Sequence, residues 1–322
     1  MRAALYDRCG ASSEVLRVEE IERPEPGPGE VLVKIEYSGV NPTDWKSRGG
    51  STPRAIDGFQ IPHHDGAGVI DAVGDGVDQG RVGQRVWTWM AAAGRRWGTA
   101  AQWSVVPAAR AVPLPDGISA ELGASLGVPA ITAHRCLFAD GPVAGKTILV
   151  AGGAGAVGHF AIELAKFSGA RVITTVSGAE KAELARKAGA DLVVNYREPS
   201  ASEEISSFGP VDRVVEVALG ANLQLDLAVL CPGGEIVAYA AEPTDPVLPV
   251  RACMTANVIL RFVLLYGVPA DALERAANDI TTALTSGALT ELPVHRFGLD
   301  DIVAAQDAVQ NGAVGKVLIA PA

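Results

Sequence analysis

Apolar and polar positions alternate in short runs along the first third of the chain, and prolines and glycines break the runs. Val31 to Tyr37 (V-L-V-K-I-E-Y), Gly68 to Val73 (G-V-I-D-A-V) and Arg85 to Met90 (R-V-W-T-W-M) carry the two-residue period of β-strands. The clusters P-E-P-G-P-G-E at Pro24 to Glu30 and P-T-D at Pro42 to Asp44 supply turns and bulges between them. A β-rich domain is expected up to about Pro115.

Beyond Pro115 the period changes. Continuous apolar runs alternate with longer helical stretches, the pattern of a parallel sheet covered by helices on both faces. Thr147 to Ala151 (T-I-L-V-A) reads as a strand buried on both sides. The next stretch sets Val157, Ala161, Leu164 and Ala165 on one helical face and closes at Gly169. R-V-I-T-T-V, L-V-V-N, V-D-R-V-V-E-V and G-G-E-I-V-A-Y continue the strand count of a doubly wound sheet. Ala256 to Tyr266 (A-N-V-I-L-R-F-V-L-L-Y) reads as a long apolar edge strand needing cover. A helix near Leu299 to Gln310 and a last strand, G-K-V-L-I-A-P, return the chain towards the first domain. The expected domains are therefore residues 1–115 with 290–322, and residues 116–289.

Composition narrows the partners. The 322 residues are 48% hydrophobic and carry a formal charge of −10, from 27 basic against 37 acidic side chains. That is enough apolar material for two cores, and the charge repels nucleic acid and anionic bilayers. No apolar run approaches the ~18 residues of a membrane span, and the N-terminus shows no signal-peptide pattern. Cys9, Cys136, Cys231 and Cys253 form no CxxC pair, which suits a reducing cytoplasm.

The sharpest chemical feature is Gly153-Ala154-Gly155-Ala156-Val157-Gly158, a GxGxxG set between a strand and a helix. Gly153 permits the tight turn, Gly155 lets backbone approach a diphosphate, and Gly158 lets the helix pack on the strand. A dinucleotide is the expected cofactor, its phosphates over the positive helix end. About 20 residues on, where an acidic side chain would hold the ribose 2′-hydroxyl of NAD, stands Val176-Ser177-Gly178 without a carboxylate. Ser177 can donate a hydrogen bond and Lys181 a charge to a 2′-phosphate, so NADPH is expected. Ser177 as a plain N-cap and Lys181 as a solvated helix residue is the alternative.

With these residues in hand, the chain resembles the zinc-free quinone oxidoreductase (zeta-crystallin-like) branch of the medium-chain dehydrogenase/reductase family from end to end. The likeness rests on P-G-P-G-E-V-L-V-K, on G-V-N-P-T-D-W-K at Gly39 to Lys46, on D-G-A-G-V-I-D-A-V-G-D-G-V at Asp65 to Val77, and on V-G-Q-R-V at Val82 to Val86. It continues through P-A-I-T-A at Pro129 to Ala133, the glycine loop, A-G-A-D-L-V-V-N-Y-R at Ala188 to Arg197, L-C-P-G-G and G-K-V-L-I. The resemblance implies an α/β protein in which a Rossmann domain is inserted into a β-rich GroES-like catalytic domain, with the nicotinamide in the cleft between them. It also implies that Asn41 and Asp44 line the substrate end and that Thr132 approaches the nicotinamide. Ser177, Lys181 and Tyr196 would surround the 2′-phosphate, Val217 and Ala218 would lie under the adenosine side or its link, and Lys316 would touch the cofactor.

Related alcohol dehydrogenases hold zinc with a cysteine, a G-H-E motif and a second cysteine. The matching positions here read Asn41, His63-His64-Asp65 and, near Gly127 and Val128, no cysteine, so no metal is expected. His64 and Asp65 are expected to be structural, hydrogen-bonding the turn, with polar lining of the cleft as the alternative, and His134 and His159 to be satisfied core or surface histidines. The implied activity is hydride transfer to a quinone or α,β-unsaturated carbonyl, with Asn41 as donor to the developing oxyanion and water as proton source. Trp45, Trp87, Trp89 and Trp97 are either an acceptor wall or ordinary core. A zinc alcohol dehydrogenase and a non-catalytic nucleotide sensor stay open as alternatives, and a homodimer is expected.

Overall fold

The computed structural model describes residues 1–51, 56–242 and 244–322. Two short strands open the chain, β1 (Arg2–Leu5) and β2 (Arg17–Glu20), with the one-turn helix α1 (Ser12–Val15) between them. Then come β3 (Glu30–Val40), α2 (Pro42–Arg48), β4 (Asp65–Val73), β5 (Arg85–Thr88), β6 (Trp103–Pro107) and β7 (Ala111–Pro113). Helix α3 (Ala120–Phe138) leads to β8 (Thr147–Ala151), α4 (Ala156–Phe167), β9 (Arg171–Val176), α5 (Ala179–Lys187), β10 (Leu192–Asn195), α6 (Ala201–Phe208) and β11 (Val211–Glu216). These are followed by α7 (Leu219–Val229), β12 (Leu230–Ala238), α8 (Val250–Ala256), β13 (Ile259–Phe262), α9 (Ala270–Thr285), β14 (Val294–Gly298), α10 (Ile302–Gln310) and β15 (Lys316–Ala320). Among the described residues no helix is long and apolar enough to cross a membrane.

The chain forms two compact units, residues 1–129 with 291–322 and residues 130–290. The first cut falls at Pro129, inside α3, where the expected boundary lay in the loop at Pro115.

In the first unit a seven-stranded sheet runs β14-β15-β3-β4-β5-β7, with β6 also pairing β3. The terminal strand β15 does return to this domain, pairing antiparallel to β3 with Val317 against Val40. Long β3 can serve three strands because β6 pairs with Glu30–Lys34, β15 pairs with Ser38–Val40, and β4 pairs along Val31–Gly39; Val31, Val33 and Ile35 on one face are all buried. Each such side chain, fully withdrawn from water, contributes about 1.5–3 kcal/mol. Trp87 and Trp89 are buried here as core, and Trp97 packs edge-on against Phe59 at 5.8 Å.

In the second unit six parallel strands run in the order β10-β9-β8-β11-β12-β13, the doubly wound arrangement. All five residues of β8 are buried, as a central strand covered on both faces requires. The order reverses between β8 and β11, so the loops after these two strands flank the point where ligands bind in such sheets. Edge strand β13 spans only Ile259–Phe262, shorter than the apolar run suggests. Leu265–Gly267 turns off as a single 3-10 turn, and β12 is the strand's one partner.

Candidate active site

In the second unit the chain leaves β8 through a bend whose own backbone closes it: Gly152 and Gly153 N–H both donate to Thr175 O, at 3.1 and 3.2 Å, and Gly155 N–H to Gly152 O at 3.0 Å. The three motif glycines differ in what surrounds them. A Cβ on Gly153 would fall 2.1 Å from Thr174 Oγ1, and one on Gly158 2.4 Å from Gly152 O, so both are demanded by packing. A Cβ on Gly155 would meet only Gly152 O, at 3.4 Å. The backbone there is open on one side.

Gly155 is the N-cap of α4, with no side-chain cap and no acidic residue in the first turn. The first-turn amides of Ala156, Val157 and Gly158 therefore lack intrahelical acceptors, and nothing offsets the positive helix end. Ala154 is buried beneath them. Val217, which follows β11, comes to the same bend: a Cβ on Gly152 would touch its Cγ1 at 3.4 Å. Ala218 is the N-cap of α7, and its N–H donates to the Glu216 carboxylate.

Ser177 and Tyr196 stand at neighbouring strand ends. The β10–β9 register sets Asn195 against Val176, and Tyr196 N–H donates to Val176 O at 3.1 Å. Gly178, not Ser177, is the N-cap of α5, so the capping role does not explain the serine. Lys181 follows in the first turn of α5, and Tyr196 is 46% exposed. Thr132 lies buried on α3.

The first unit holds the polar cluster. Pro42 opens α2 at its first position, Asn41 is the N-cap, and Asp44 Oδ2 reaches back to accept the Asn41 N–H at 2.7 Å. This commits one oxygen of Asp44 to the helix start. Burial, and then the charge of Asp65, hold the Asp44 carboxyl well above the usual carboxylate range. The Asn41 side chain turns elsewhere: Nδ2 donates to Asp65 Oδ2 at 2.6 Å, and Oδ1 accepts from Lys316 Nζ at 2.7 Å. Lys316 Nζ lies 3.6 Å from Asp65, whose Oδ1 accepts the Val128 N–H at 2.8 Å. Asn41, Asp65 and Lys316 are all at most 2% exposed. Burial lowers the lysine and raises the aspartate, each opposed by the other's charge.

Lys316, expected at the cofactor, is thus brought to Asn41. Asp65 contacts both; its signal in the sequence was a carboxylate opening the strand D-G-A-G-V-I-D-A-V, whose second carboxylate, Asp71, is exposed. His63 is buried in a network, its Nδ1 2.9 Å from Ser38 Oγ and its Nε2 3.2 Å from Gln306 Nε2. Burial pulls its pKa down to about 3, so it is neutral. Among the described residues no three His, Cys, Asp or Glu side chains converge to hold a metal, and an ammonium already faces Asp65.

The remaining candidates are engaged elsewhere, though the buried Nδ1 of His134 has no hydrogen-bond partner among the described residues. His134 Nε2 lies 2.8 Å from Asp279, and His159 bonds Thr290 O at 3.2 Å beside Glu163. Burial pushes the Cys136 thiol up to about 12, the opposite of an activated thiolate.

Comparison with known proteins adds the family. A zinc-binding dehydrogenase profile matches residues 156–281, and an alcohol dehydrogenase GroES-like domain profile matches residues 27–116. The chain is 32% identical to a chloroplastic quinone-oxidoreductase homolog of Spinacia oleracea over 255 residues, 76% of each chain. It is 28% identical to the quinone oxidoreductase of Homo sapiens over 326 residues, covering 99% of this chain and 97% of that one. The solved structure of a mycobacterial protein complexed with NADPH superposes with a TM-score of 0.87 at 31% identity, covering all of both chains.

Proposed function

This chain belongs to the quinone oxidoreductase branch of the medium-chain dehydrogenase/reductase family, and from that premise we propose that it is an NADPH-dependent reductase of quinones or α,β-unsaturated carbonyls that uses no catalytic metal. The observation that carries the reading is the bend at residues 153–158: uncapped amides at a helix start, with open backbone at Gly155, where a diphosphate fits. Val217 comes to that bend, with Ala218 next in the chain, and Ser177, Lys181 and Tyr196 offer a 2′-phosphate a hydroxyl, a cation and a phenol. The mycobacterial relative carries NADPH, which favours the same cofactor here.

A reduced nicotinamide bound there would supply the hydride, with Thr132 among the residues that would hold it. The protein's own work is to hold the acceptor and stabilise the charge it gains. A conjugated acceptor collects negative charge on oxygen, and Asn41 Nδ2 has a second hydrogen to offer that oxygen. Asp44 fixes the Asn41 backbone through the helix start. Water supplies the proton. A lysine where a metal would need open ligands supports metal-free chemistry, whatever the zinc in the family description refers to. We place the enzyme in the cytoplasm, as a homodimer joined along β13, where Ile259 and Phe262 are 51% and 69% exposed on an edge strand.

The test is calorimetric titration with NADPH and NADH, then a panel of quinones, enals and enones. Saturable, enzyme-dependent NADPH oxidation is expected. Binding of neither nucleotide overturns the reading, and tight binding without turnover points to a sensor. Stoichiometric metal with loss of activity on chelation points to an alcohol dehydrogenase.

A further inference from the structure

Three strand ends meet at Asn41. The β15–β3 register, with Val317 against Val40, continues one step to set Lys316 opposite Asn41, and the β3–β4 register sets Gly39 against Asp65. Two glycines make the room. A Cβ on Gly39 would lie 2.1 Å from Ala124 O and 3.1 Å from Lys316 Cε, and one on Gly127 would lie 2.1 Å from Asp65 Oδ1. Two buried charges and the backbone that admits them thus surround one carboxamide.

A carboxamide keeps nearly the same shape when turned over, so its neighbours alone decide which end is which. An ammonium only donates and a carboxylate only accepts. Lys316 at 2.7 Å therefore fixes the end nearest it as oxygen, and Asp65 at 2.6 Å fixes the other as NH2. Turned over, both contacts would be repulsive. The second Nδ2 hydrogen is then held in one direction.

We infer that Lys316 and Asp65 are positioning residues for turnover: they lock the Asn41 carboxamide with its N–H presented to the acceptor oxygen, and Lys316 is not a dinucleotide contact. This rests on Asn41 being the oxyanion donor of the proposed reaction. Removing one such donor outright lowers kcat by about 10²–10³. A carboxamide freed to turn over loses kcat in proportion to the time its N–H is turned away, so equal populations of the two orientations give about a twofold loss.

The experiment compares Lys316→Met with Lys316→Met/Asp65→Asn in the full chain. The single variant leaves a buried carboxylate without its cation, and the double variant removes that charge, so the thermal midpoint should fall and then recover. In Lys316→Met the Asp65 carboxylate still accepts from the NH2 end and holds the carboxamide, so a loss of kcat for quinone reduction of at least about twofold is expected in the double variant, while the Kd for NADPH by calorimetry stays within about twofold of the parent in both. A double variant with the parent's kcat and a recovered midpoint would reduce Lys316 to a structural counter-ion and overturn the inference. So would a Lys316→Met protein that keeps kcat and loses NADPH affinity.

A second readout needs no turnover. In protein labelled with 15N-asparagine, the Asn41 side-chain NH2 pair, identified by its loss in Asn41→Asp, should be resolved and slowly exchanging. In Lys316→Met/Asp65→Asn the pair should shift or broaden as the whole carboxamide samples both orientations, and an unchanged pair would overturn the lock. If the parent protein reduces no quinone or enone, the functional reading fails on its own, and the NH2 pair still decides whether the lock exists.

Discussion

Asp226→Asn should stabilise the second unit, and by more as pH rises. Glu216 ends β11 and Asp226 lies on α7; they are 0% and 1% exposed and hydrogen-bond each other. Glu216 Oε1 already accepts from Ala218 N–H and from Asn222 Nδ2, the latter at 2.9 Å, so Asp226 is the side that must carry a proton. Burial, and then the Glu216 charge, push Asp226 up to about 9. In the unfolded chain the same carboxyl titrates near 4. Between those limits the native state holds about one proton more than the unfolded state, so stability falls as pH rises, by about 1.4 kcal/mol per unit. Below pH 4 the loss vanishes because both states are protonated, and above about 9 the slope vanishes because both are ionised. An amide at position 226 donates to Glu216 without a titrating proton. The advantage of Asp226→Asn over the parent should therefore grow by up to about 4 kcal/mol between pH 5.5 and 8.5. Urea unfolding followed by circular dichroism at 222 nm reads it, since all the tryptophans lie in the first unit. Parallel stability–pH curves for the two proteins would refute the shared proton.

The glycine bend separates fold from binding. Gly158→Ala, with its Cβ 2.4 Å from Gly152 O, should cost about 1–3 kcal/mol of stability. Gly155→Ala, whose Cβ meets only Gly152 O at 3.4 Å, should leave the thermal midpoint nearly unchanged yet weaken NADPH binding at least about tenfold, because the methyl stands where backbone must approach phosphate. Parent-like affinity in Gly155→Ala would place the diphosphate elsewhere. Lys181→Ala should lower affinity for NADPH by about 10–100-fold and leave NADH unchanged, the loss of one charge-assisted hydrogen bond; an intact preference removes Lys181 from the site. Phe262→Glu, on a side chain 69% exposed, should give monomers in sedimentation velocity at micromolar concentration. A parent protein that is already monomeric there refutes the β13 interface.

The parts of this fold that local pattern reveals are those where burial is decided by neighbours in sequence. Thr147–Ala151 reads correctly because a central parallel strand is apolar at every position. Its glycine turn reads correctly as a bend because the turn and the helix packing are set within a dozen residues. Ala256 to Tyr266 misleads for the opposite reason: at a sheet edge with one partner, apolar character does not tell where pairing stops, and only Ile259–Phe262 pair. The polar cluster was legible in its members and not in its wiring. Lys316 is a lone cation opening an apolar strand; Asp65 is a buried carboxylate opening another, which also carries the exposed Asp71; and Glu216 is a buried carboxylate closing a third, which also carries Asp212 and Arg213. Each stands where a ladder ends and a side chain can leave the apolar layer for a polar partner. The partners are Asn41 for the first two and Asp226 for the third, and the link from Lys316 to Asn41 depends on a strand register spanning 275 residues. A charge at the buried end of a strand is therefore a signal in itself, since burying it alone would cost several kcal/mol. The sequence can say that a partner must exist, and the sheet order says which.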